Sequence, residues 1–65
     1  MTFEDAKAAA REEWGRATAW RVGVAVGKAA SPMRDPYPPR SRSSRQFAKG
    51  VRYGREWREK REEQS

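Results

Sequence analysis

Arginine and lysine carry the clearest chemistry in this chain, and they gather between Arg34 and Arg55. From Pro36 to Arg55 there are five Arg, one Lys and no Asp or Glu, interleaved with Tyr37, Phe47, Val51 and Tyr53. Guanidinium groups present paired donors to phosphate oxygens, and tyrosine rings offer faces on which unpaired bases stack. An ordinary solvated helix face mixes acids with bases, as residues 56–65 do. Net charges of −2 over residues 1–13, +9 over 14–55 and −1 over 56–65 make up the +6 of the whole chain. The positive field therefore belongs to the middle of the molecule and favours polyanionic partners.

Other chemistries fit less well. Residues 23–30, GVAVGKAA, resemble a phosphate-binding loop, but three residues separate the glycines where four are needed. Ala29 also follows Lys28 where a Ser or Thr would hold magnesium. With no Cys and no His there is no disulfide, no His/Cys zinc site and no thiol or imidazole for catalysis. The reading is a binding protein rather than an enzyme, with no cofactor and no metal. No helix-turn-helix pattern is present, so RNA is preferred to duplex DNA. The candidate RNA-binding residues are Arg34, Tyr37, Arg40, Arg42, Arg45, Lys49 and Arg52, with Tyr37 either fixing a corner or stacking on a base.

Helices must position these groups. Thr2 followed by Asp5 predicts an N-terminal cap, and Phe3, Ala6, Ala10, Trp14 and Ala17 then fall on one helical stripe. Val22, Val24 and Val26 alternate with Gly23 and Ala25, which by itself suggests a strand. No second strand exists to pair with it, so the helix is predicted to continue from about residue 3 to 29. Pro32 disfavours helical geometry at Ser31, and residues 31–40 hold all four prolines, which makes them the linker. PYPP within it is read as a rigid corner in preference to a ligand for polyproline-binding modules.

Ser43 and Gln46 suggest a second capping box opening a helix over about 43–61, followed by a frayed tail. Phe47, Gly50, Val51, Gly54 and Trp57 form its inner face, and Arg45, Lys49 and Arg52 lie opposite. Gly23 and Gly27 give the first helix a smooth face for close packing, with Trp14 as further packing material. Trp20 lies off the main stripe and is read as either packing or facing a partner.

The expected fold is all-α, a two-helix hairpin with a Pro-rich linker, in one domain of 65 residues. A chain this short, with a mean hydropathy of −1.21, buries a thin core. The glycine-lined faces leave open a homodimer or order gained on a partner. No run approaches the roughly 18 apolar residues a membrane span needs. Glu4 and Asp5 stand where a signal peptide would be basic, so a cytoplasmic protein without membrane contact is expected.

The order of these features resembles the ribosome modulation factor family of bacterial hibernation proteins, including short plasmid- and phage-borne relatives. Gly23 and Gly27 match glycines on the family's first helix, Pro36 and Tyr37 its linker Pro-Tyr pair, and Arg45, Phe47 and Gly50 its second helix, with Arg52 beyond. The likeness spans residues 19–58. Phe47 stands where the family has Trp, Val51 where a second Trp can occur, and Thr2 to Ala17 extend past the family's usual start. The resemblance implies docking on ribosomal RNA of the small ribosomal subunit, and thereby translation regulation by hibernation. The alternative reading is a phage- or plasmid-encoded inhibitor that docks its basic face on an acidic host protein.

Overall fold

Thr2 opens the first helix with both halves of a capping box. Its Oγ1 accepts the Asp5 amide at 3.1 Å, and the Asp5 carboxylate accepts the Thr2 amide at 3.0 Å. The computed structural model describes residues 1–63, in which this helix, α1, spans Phe3–Trp14. Two more follow, α2 over Ala19–Lys28 and α3 over Arg42–Glu63, and no strand occurs among the described residues. No described helix is long and apolar enough to cross a membrane.

The single helix expected over residues 3–29 is thus two. Gly15 takes φ +78°, a left-handed conformation that a residue without Cβ adopts at little cost, and its amide closes on the Arg11 carbonyl at 2.7 Å. Thr18, extended, then caps a fresh helix by accepting the Arg21 amide at 3.3 Å. The break lets α1 turn and lay Ala6 and Ala10, both fully buried, against Val22 and Val26.

Residues Val22 to Gly27 are all buried, which explains the ambiguous pattern of this stretch. A helix covered on every side has no polar face, so its sequence loses the 3.6-residue period that marks an amphipathic helix. α2 is the central rod, and α1, α3 and the linker residues Met33 and Tyr37 close around the core built on it.

The contact between α2 and α3 is made by main chain. A methyl group added to Gly23, Gly27, Gly50 or Gly54 would overlap the carbonyl oxygen of Phe47, Val51, Trp20 or Val24 respectively. Added to Gly27 or Gly54, it would also lie 3.0 Å from the other's Cα. Residue numbers rise together along this seam, Trp20 and Val24 against Gly50, Val24 and Lys28 against Gly54. The two helices therefore run in the same direction, and the hairpin expectation is corrected. A hairpin needs only a short loop, whereas residues 29–41 must carry the chain back along the roughly 15 Å of a ten-residue helix. Thirteen residues, extended, reach about 43 Å and do so with slack.

The linker is fastened at both ends. Ala30, at φ +50°, ends α2 with its amide on the Gly27 carbonyl and the Ser31 amide on the Val26 carbonyl, both at 3.1 Å, a Schellman closure made without glycine. At the far end Ser41, rather than the expected Ser43, caps α3. Its Oγ accepts the Ser44 amide at 3.1 Å and donates to the Pro38 carbonyl at 2.7 Å. Ser43 and Gln46 lie inside the helix, which runs on through Glu63 where a frayed tail was expected.

Replacing Gly23 or Gly50 by Ala gains about 1 kcal/mol of helix propensity but forces main chains apart, an overpacking cost of about 3 kcal/mol or more. Each variant should lose at least about 2 kcal/mol in urea denaturation; stabilisation by either would refute the seam. Ala30→Gly should instead raise stability by about 0.5–1 kcal/mol, since the left-handed conformation costs alanine more than glycine's extra chain entropy.

Candidate nucleic-acid interface

Helical spacing sets the cationic surface. Arg42, Arg45, Lys49 and Arg52 follow one another on α3 at intervals of three, four and three, so they form one stripe. Phe47, Gly50 and Gly54 occupy the buried side of the same helix, and all four cations are exposed. Arg34 and Arg40 are exposed on the linker, Arg40 held at φ +63° immediately before the Ser41 cap. Arg40 thus stands, exposed, two residues before the first residue of α3.

The electrostatics of that end are unusual. The first turn of α3 contains no acid, although acids there would be favoured by the positive pole of the helix dipole. Arg40 and Arg42 add to that pole instead of offsetting it. Asp35, the one carboxylate nearby in sequence, is engaged locally: it accepts the Tyr37 amide at 2.9 Å and the Ser44 hydroxyl. Among the described residues no ion pair forms to Arg34, Arg40, Arg42, Arg45 or Lys49. Arg52 meets Glu56 at 3.6 Å, with the Arg side chain 85% exposed, a pair worth well under about 1 kcal/mol in water. The stripe therefore carries an almost unneutralised positive charge.

Tyr37 occupies the corner. Its ring packs edge-on against Phe3 at 5.7 Å and tilted against Phe47 at 5.9 Å, joining α1 and α3 across the linker. Of the two roles expected for it, this position suits the corner, because a ring held between two others has little free face for a base. Burial, and then the Asp35 carboxylate, push its phenol above the usual tyrosine value.

The expected packing set divides. Gly23, Gly27, Phe47, Gly50 and Gly54 are buried, and Trp14 and Val51 are half-buried against the core. Trp57 is not an inner residue: it remains 38% exposed. α2 ends at Lys28, level with Gly54, so α3 beyond that level has no helix to pack against. Trp20, by contrast, is met by the chain's own aromatics, Trp14 at 6.1 Å and Tyr53 at 5.3 Å.

One cluster was not anticipated from sequence. Lys28 Nζ sits 4.4 Å from the centre of the Trp57 ring and 5.5 Å from that of Trp14, while pairing with Glu13 at 2.8 Å. Arg61 lies over Trp57 at 5.1 Å, and Arg58 donates to the Lys28 carbonyl at 3.3 Å, capping the end of α2. Only the unequal lengths of α2 and α3 signal this arrangement, and those lengths depend on where the first helix breaks. No family model, curated protein or solved structure matches the chain.

The raised Tyr37 pKa gives a signed pH dependence. The neutral ring is favoured in the folded chain, so its contribution is complete below the ordinary value of 10.0 and is lost as pH rises above it. Tyr37→Phe should reduce the loss of stability between pH 8 and pH 11 relative to the parent chain, measured by urea denaturation at each pH. An identical loss in both proteins would show that the phenol contributes nothing to the alkaline limb.

Proposed function

We propose that this protein binds RNA through the stripe Arg42, Arg45, Lys49 and Arg52, with Arg34 and Arg40 extending the contact along the linker. The observation that carries the reading is a run of exposed cations, acid-free from Pro36 to Arg55, lying on the far side of α3 from its glycine seam. Such a surface raises the local concentration of polyanions and gains affinity by releasing their counterions. The resemblance to ribosome modulation factors suggests the particular RNA, that of the small ribosomal subunit, and a role in translation regulation. Binding there needs no catalytic group: the protein would act by occupying a site.

Neutralising about six phosphates should lower affinity about a thousandfold between 50 and 200 mM salt. Replacing Arg45, Lys49 and Arg52 together by Gln should reduce the log–log salt slope by about 2 to 3 while leaving the circular dichroism spectrum unchanged. An unchanged slope would show that another face is used. In a bacterial lysate the protein should sediment with 30S subunits and be released by nuclease. Capture that survives nuclease would point to an acidic protein as the partner instead.

A further inference from the structure

We infer that the notch between Tyr53 and Trp57 is a stacking site for unpaired bases, so that the RNA taken by this protein is single-stranded. The inference rests on the RNA reading above and specifies the class of RNA. Tyr53 is 50% exposed and Trp57 38%, although burying them would stabilise so small a core. They stand one turn apart on α3, and their rings do not stack on each other: the ring contact of Tyr53 is Trp20. Between them opens a shallow notch of about 90 Å³ lined by Tyr53, Glu56, Trp57 and Lys60. On its other side Trp57 borders a wider hollow of about 300 Å³ formed with Lys28, Arg58, Arg61 and Glu62.

Both rings are braced from behind. Tyr53 leans on Trp20, which leans on Trp14, and Trp57 is held by the Lys28 ammonium, itself tied to Glu13, and by Arg61; both cations line the wider hollow and neither lines the notch. Rings fixed in this way lose little conformational freedom when a ligand arrives. Cations continue the row at either end: Lys49 lies one turn before Tyr53, and Lys60 and Arg61 lie one turn after Trp57. Residues 49, 53, 57 and 61 thus run as one ridge of about 18 Å, with Arg61 lying over Trp57 from the hollow side and the notch between the two rings in its middle. Glu56, which also faces the notch, is partnered by Arg52. A strand laid along the ridge sets phosphates on the cations and bases on the rings. A duplex, whose bases are already stacked on one another, can use only the cations.

The test compares two labelled RNAs by fluorescence anisotropy at one low salt concentration, an unstructured 12-nucleotide strand and a blunt-ended duplex of two fully complementary strands. The full-length protein should prefer the strand. Trp57→Ala should weaken strand binding by roughly 5- to 150-fold, the loss of one stacked base, and leave duplex binding as it was. Trp57→Phe should restore most of the loss, and Tyr53→Ala provides a second, independent removal of the notch. Circular dichroism checks that each variant is folded. Equal weakening toward both RNAs, or none toward either, would overturn the stacking site while leaving the cationic stripe intact. Failure of the parent protein to bind either RNA would defeat both readings. If Trp57→Ala spares RNA binding but abolishes nuclease-resistant capture from lysate, the ridge docks a protein and the inference fails.

Discussion

Main chain touches main chain where α2 meets α3, and most of the molecule follows from that contact. Four glycines, two on each helix, remove the side chains that normally keep helices about 8–10 Å apart. With carbonyl oxygens of one helix against Cα hydrogens of the other, dispersion and weak Cα–H···O contacts act over the whole seam. This is how a chain with few large apolar residues holds together. Its buried hydrophobic set is three valines, three alanines and one phenylalanine. The thinness of that core is compensated by closeness of approach rather than by volume.

The seam also organises what lies outside it. Because α3 presents its glycines to α2 and Phe47 and Val51 to the core, its other faces look outward: one carries the cationic stripe, the flank beside it carries the half-exposed Tyr53 and Trp57. Parallel alignment gives the Pro-rich linker its task, the return from the end of α2 to the level where α3 begins. That path passes the core, so Met33 and Tyr37 become part of it. The same alignment lets α3 outrun α2, with Arg58 and Lys28 joining the two where α2 stops. Charge and aromatic surface are therefore consequences of one packing choice.

Much of the secondary structure could be read from local chemistry. Thr2 and Asp5 announce a helix start because both capping groups are close in sequence and act within one turn. Helix over Val22–Val26 followed from the lack of any strand to pair with. The break at Gly15 had its own signals, a glycine able to close α1 and a threonine able to cap α2, yet the apolar stripe from Phe3 to Ala17 suggested continuity across it. Trp57 was misread for a related reason: spacing places it near the inner face, but whether that face has a neighbour depends on where another helix ends.

By itself the amino-acid sequence determined the helical class, the proline-bound linker and the concentration of positive charge in the middle of the chain. Each of these arises from neighbours a few residues apart: capping groups, missing amide donors, the angular spacing of side chains. Only the tertiary structure decided that α2 and α3 run in parallel, that α2 is the enclosed rod, and that Tyr53 and Trp57 stand clear of the core. Direction and exposure depend on which distant surfaces meet, and here that meeting is decided by the fit of glycine against backbone, for which no local pattern encodes an orientation.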